Sequence, residues 1–243
     1  MPDTRTQRGP HPKDRECFSA RWVPVLQTAV EDLSWLLSRG YSSRAGLKLV
    51  GDRYTLRDRQ RKALQRCAAS DADCLERRRK RLEPIALRGE TVVVDGYNVL
   101  LTLEAALSGG LLLLARDGAM RDLAAMSAHY RRVHTTRPAV ELLADFFAET
   151  GCAQVIWYMD RPVSNSGRLK RLILEIVADR QPPWRVDLTD RTDHLLSVSP
   201  HVVASADSAI IDRCKRWVNL ARIVVEGALS DTWILDLGES QER

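Results

Sequence analysis

Hydrophobic positions along the chain follow two different rhythms. In the first third, Val25, Ala29, Leu33, Leu36 and Leu37 recur at the spacing of one helical face. The segment "SRGYSSRAG" then supplies Gly40 to close that helix and Ser42 or Ser43 to cap the next. "SSRAGLKLVGDRY" predicts a short second helix that stops near Gly51. "TLRDRQRKALQRCA" predicts a third with Thr55 as its cap, and "DADCLERRRKRL" a fourth, strongly basic, that ends before Pro84. From Thr91 onward short apolar runs alternate with amphipathic stretches. "TVVVDG", "AQVIWYMD", "WRVDLTD" and "HVVASAD" read as strands. "LLLLARDGAMRDLAAMSAHYRRV", "RPAVELLADFFAET", "GRLKRLILEIVADR", "TDHLLS" and "SAIIDRCKRW" read as helices, and "ARIVVEG" and "TWILDL" as closing strands. Alternation of this kind predicts an α/β domain with a mainly parallel sheet and helices on both faces. The expected organisation is a disordered tail over residues 1–19, a basic all-helical module over 20–85 and the α/β domain over 90–238.

Charge sharpens that division. Of 37 Lys and Arg and 32 Asp and Glu, residues 1–90 hold 20 and 12, which leaves 17 and 20 for residues 91–243. The net charge of +5 is therefore a basic third joined to a slightly acidic remainder. Such a pairing suits a protein in which one part grips a polyanion and another holds something else, such as a metal. A basic helix face that is simply solvated accounts for the charge equally well. No apolar run reaches the roughly 20 residues of a membrane span, and the first residues lack the apolar core of a signal peptide. A cytoplasmic protein without membrane contact is expected. The five cysteines are scattered, without a CxxC pair or a zinc-ligand pattern, as expected of reduced structural thiols.

The candidate chemistry lies where strands end. In a parallel sheet all carboxyl ends share one edge, and ligands bind in the crevice there. Asp95, Asp160 and Asp207 each close a predicted strand. Asp187 and Asp190 lie around the end of the third strand, and Asp193 opens the short helix after it. Asp212 follows Asp207 by five residues and is expected to face back across the crevice. Like charges gather at a cost unless something compensates, and the usual compensation is a hard divalent cation held by oxygen ligands. "DGYN" matches neither dinucleotide nor nucleoside-triphosphate loops. Acids at strand tips without a phosphate loop point to metal-assisted chemistry with Mg²⁺ or Mn²⁺.

"VVVDGYNVL", "TDHLL" and "VVASADSAIIDRC" resemble the motif set of PIN-like nucleases, in particular their NYN branch. The resemblance spans roughly residues 90–237. It implies a PIN-like fold and a Mg²⁺- or Mn²⁺-dependent ribonuclease acting on structured RNA. Asp95, Asn98, Asp207 and Asp212 match the family pattern position by position. Asp193 is taken as the middle acid, with Asp190 as the alternative. The implied metal ligands are Asp95, Asp193, Asp207 and Asp212, with Asn98 orienting a ligand or a water. The segment from Glu31 to Arg66, "EDLSWLLSRGYSSRAGLKLVGDRYTLRDRQRKALQR", resembles domain-of-unknown-function family 434, which implies an architecture and no activity.

"YMDRPVSNSGRLKR" departs from the plain PIN-like pattern. Ser164, Asn165 and Ser166 are expected to meet a phosphate at a helix start, with Arg168, Lys170 and Arg171 adding charge. The basic run "ERRRKRL" offers phosphate contact without base specificity, or a solvated helix face. RNA is the expected partner, and a homo-oligomer remains open. Two other functions fit the same residues: a non-catalytic RNA-binding protein that keeps the fold, and a DNA-binding regulator led by the helical module.

Overall fold

The computed structural model describes residues 9–123 and 133–238. The helical part contains α1 (Asp14–Cys17), α2 (Val23–Ser38), α3 (Ser43–Arg53), α4 (Asp58–Cys67) and α5 (Asp71–Lys80). It is followed by β1 (Arg81–Leu82), β2 (Thr91–Asp95), α6 (Gly96–Leu107), β3 (Leu111–Leu114), β4 (Met120–Asp122), α7 (Thr136–Thr150) and β5 (Gln154–Asp160). The chain continues through α8 (Ser166–Ile176), β6 (Trp184–Thr189), α9 (Thr192–Ser197), β7 (Val202–Ala204), α10 (Ser208–Arg213), β8 (Trp217–Val218), α11 (Leu220–Ala228) and β9 (Trp233–Asp236). Ser42 caps α3 as expected, its hydroxyl accepting the Ala45 N–H at 3.3 Å.

The main sheet has the order β1-β8-β7-β2-β5-β6, every pairing parallel, with helices packed around it. This is the expected α/β architecture preceded by helices. β2 is central and buried on both faces, which is why Val92, Val93 and Val94 form an unbroken apolar run. After β2 the chain builds outward through β5 and β6. It then returns to place β7 on the other side of β2. The strand order reverses at β2, so a crevice opens at its carboxyl end.

α4 is capped by Arg57 and not by the expected Thr55. Three further differences are larger. The long helix expected from Leu111 is instead the hairpin β3–β4, turned at "RDG" with Gly118 at φ +83°. The stretch from 124 to 132 lies outside the described residues. "LLLL" is apolar on both faces because β3 is sandwiched. Leu111 and Leu113 pack into the helical core with Leu26, Leu33 and Leu64, whereas Leu112 packs into the main core. Second, "ARIVVEG" is helix α11, with Leu220, Ala221, Val224 and Val225 on its buried face. Third, order begins before residue 20. α1 is tied down by Asp14, which pairs with Arg59, and Cys17 and Phe18 are buried in the helical core. Residues 1–8 of the expected tail lie outside the described residues.

The helical part and the α/β part are continuous. β1, at the foot of α5, is an edge strand of the main sheet, and Leu87 of the connector is fully buried in the main core. The small sheet β4-β3-β9 lies between the helices and the rest. No helix among the described residues is long and apolar enough to cross a membrane.

Candidate functional site

A cleft of about 660 Å³ opens at the carboxyl end of β2. Asp95 enters it from the tip of β2, Asp160 from the tip of β5, Asp193 from the first turn of α9 and Asp207 from the loop after β7. Four elements far apart in sequence thus bring four carboxylates to one place. Asp122, from β4, is a fifth acid on its wall.

Short hydrogen bonds hold these groups. The Ser205 hydroxyl donates to Asp95 Oδ2 at 2.8 Å and accepts the Asp207 N–H at 3.0 Å, so one buried serine spaces two of the acids. Asn98 Oδ1 accepts the Ala206 N–H at 2.9 Å and fastens the start of α6 to the β7 loop. Asp207 Oδ1 accepts the Ala209 N–H at 2.7 Å, capping α10. The Thr102 hydroxyl lies 3.1 Å from Asp122 Oδ2. Gly96 is required for room. A Cβ there would sit 2.9 Å from the Tyr158 carbonyl and 2.7 Å from Met159 Cγ, so only glycine lets β2 turn into α6 this close to β5.

The electrostatics follow from burial and crowding. Burial pushes the Asp95 carboxyl up to about 7; the negative charges of Asp207, Asp193 and Asp160 add to the rise, and the Ser205 hydrogen bond opposes it. Asp193 is also raised, by desolvation first and then by Asp160 and Asp207, against Arg213. The acids therefore raise one another, while Lys62, Arg66 and Arg121 line the same cleft. Among the described residues no three His, Cys, Asp or Glu side chains converge tightly enough to form a ready-made metal cage.

Asp212 does not join the cleft. It pairs with Arg77 of α5 through two hydrogen bonds of 2.7 and 2.9 Å. Five helical residues advance the direction of a side chain by roughly 140° beyond a full turn, so a residue five after Asp207 points away from it. Arg77 also reaches the buried Asp117 at 2.8 Å, and Asp117 binds Arg121 at 2.9 and 2.7 Å. Burial would push the Asp117 carboxyl up, but the charges of Arg121 and Arg77 outweigh it and hold the group at about 2. Arg121 in turn donates to the Ala206 carbonyl at 2.8 Å, bracing the loop that carries Asp207. Asp212 thus belongs to an ion network behind the site. Of the acids at and after β6, Asp187 pairs with Arg185 at 2.6 Å, and neither it nor Asp190 lines the cleft.

The loop after β5 also stands apart. Ser166 is buried and donates to the Arg161 carbonyl at 3.2 Å, closing its own turn. Ser164, Asn165, Arg168 and Arg171 are exposed and Lys170 is half-buried; none of these lines the cleft. The basic run 76–82 is largely committed to structure. Arg77 sits in the ion network, Arg79 pairs with Glu76, and Lys80 donates to the Ile211 and Asp212 carbonyls at the end of α10. Residues that the sequence did not single out take their place. Lys62, Gln65 and Arg66 of α4, Arg121 and Asp122 of β4, and Thr102 of α6 all line the cleft. Ser205 lies within "VVASADSAIIDRC", and nothing local marks it as the residue that bonds both Asp95 and the Asp207 main chain.

Fold and cleft together define a parallel α/β protein with an acid-lined crevice at its topological switch point. The chain belongs to the family described as Domain of unknown function (DUF5616), whose model matches residues 84–223. Residues 25–80 match Protein of unknown function (DUF434), as the helical segment suggested. An uncharacterized protein of Methanocaldococcus jannaschii is 31% identical over 186 residues, covering 76% of this chain and 88% of the relative. No solved structure matches the chain.

Proposed function

We propose that the cleft is the active site of a Mg²⁺- or Mn²⁺-dependent ribonuclease of PIN-like type. The observation that carries the proposal is the convergence of Asp95, Asp160, Asp193 and Asp207 on one cleft, where burial and the neighbouring acids push Asp95 up to about 7. A carboxylate kept in that state is suited to an external cation, and oxygen donors of this kind suit hard divalent ions. Asp95 and Asp207, spaced by Ser205, are the pair best placed to hold it, with Asp160 and Asp193 completing the negative wall. Such an ion polarises a phosphodiester and lowers the pKa of an attacking water. The protein's own contribution is to hold the acids apart and in register. Asn98 fixes the β7 loop against α6, and Arg121 fixes it from the other side. The resemblance of "VVVDGYNVL" and "VVASADSAIIDRC" to PIN-like motifs supports the same function, although Asp212 does not take the part that resemblance implies.

The test is incubation of purified protein with total RNA and Mn²⁺, beside Asp95→Asn and Asp207→Asn. Wild type is expected to fragment the RNA and both variants to lose that activity by about 100-fold or more, in line with removal of a metal ligand's support. RNA left equally intact by wild type and variants rejects the function. RNA that is bound and never cut would leave the non-catalytic RNA-binding alternative.

A further inference from the structure

The acid cleft has a second wall, and it comes from the helical part of the chain. α4 presents Lys62, Gln65 and Arg66 to the cleft that holds Asp95 and Asp207. Their spacing of three and four residues places them on one helical face. This placement depends on the packing of α4. Leu64 and Ala63 are buried in the core shared with β3 and β9, which presses the helix against the α/β domain. Other cations of the module are already engaged, Arg59 with Asp14, Arg61 with Asp52 and Arg77 with Asp117 and Asp212, and Arg66, which lines the cleft, also has a contact of its own. Lys62 is different. Its Nζ has the Leu123 carbonyl at 3.5 Å, and among the described residues it forms no ion pair. Burial lowers the pKa of its ammonium, the nearby charges of Arg66 and Arg59 lower it further, and Asp122 opposes them. A partly buried cation beside two others at the mouth of the cleft gains from a bound anion.

We propose that Lys62 and Arg66 form the phosphate grip of the cleft, holding the backbone of an RNA strand across the junction between the helical module and the strand tips. The assignment rests on the ribonuclease function proposed above and adds to it the source of substrate affinity. The helical module is then part of the active site and not a separate recognition domain. The grip reads phosphate and not base, because Lys62 and Arg66 offer charge with no accompanying aromatic shelf from α4.

Binding of a short fluorescent single-stranded RNA, followed by anisotropy in chelator over a range of salt concentrations, tests the grip without cleavage. The comparison is between wild type, Lys62→Gln with Arg66→Gln, Lys62→Arg, and Lys48→Gln as a remote control; Lys48 is exposed on α3. The double variant is expected to weaken binding at least about tenfold and to flatten the salt dependence by about 1.4, the value for two phosphate contacts on a single strand. Lys62→Arg and Lys48→Gln are expected to bind as wild type does. Unchanged affinity and salt slope in the double variant overturn the grip, as does wild type that fails to bind the RNA at all. Wild type that binds with the expected slope yet leaves the RNA uncut in Mn²⁺ supports the grip and rejects the nuclease. Cleavage by wild type with no effect of the double substitution on KM rejects the grip and leaves the nuclease standing.

Discussion

Asp95 illustrates how a single residue can report on a whole site. The residue is 9% exposed, its carboxylate accepts one hydroxyl and shares the cleft with three other acids, and burial with that crowding moves it from the ordinary 3.8 to about 7. Between those two values the folded protein holds a proton that the unfolded chain has released. Stability therefore falls as pH rises across that window and is level on either side of it. The full span corresponds to on the order of 4 kcal/mol. Thermal melting should show Asp95→Asn more stable than wild type near pH 8, with the advantage gone near pH 4. Added Mn²⁺ should raise the melting temperature of wild type at the higher pH and leave the variant where it is. A wild type with no pH slope between these limits would contradict the burial of this charge.

At the scale of elements, α10 separates two roles that looked alike along the chain. Asp207 and Asp212 are both acids beside one short helix, and both match the motif. The helix sends them in opposite directions, the first to the cleft and the second to Arg77. Asp212→Asn is therefore expected to lower stability, by up to about 3 kcal/mol because it strips one partner from the nearly buried Arg77. Its Mn²⁺ affinity by titration calorimetry should match wild type within about twofold, where loss of a metal ligand or its hydrogen-bonded support costs 10- to 100-fold. A loss of that size would return Asp212 to the site. The hairpin β3–β4 shows a related ambiguity. A continuous apolar run serves a buried helix or a strand sandwiched between two cores, and periodicity cannot choose between them. The "RDG" turn was the local signal for a hairpin.

For the whole molecule, the absence of a clean boundary matters most. β3 and β9 belong to the helical core on one face and serve the α/β part on the other. Removing residues 9–80 would expose Leu111, Leu113, Leu235 and Leu237 together, and would take the Arg77 partner from the fully engaged Asp117. A chain truncated to 81–243 is expected to lose its cooperative melting transition and to bind a hydrophobic dye. A sharp transition near that of the full chain would show instead that the α/β part folds alone.

The amino-acid sequence alone determined the strands that end in Asp95 and Asp160 and the one that leads to Asp207, the alternation that makes their sheet parallel, and hence the edge at which those acids meet. These are local facts: apolar runs, their period and their terminating residues act over a few neighbours. Only the tertiary structure decided that Asp212 turns to Arg77, that Asp122 and α4 face the acids, and that Ser205 spaces Asp95 from Asp207. Each of those depends on which face of an element is buried and on what packs against it across tens of residues to more than a hundred, and no short-range pattern encodes that choice.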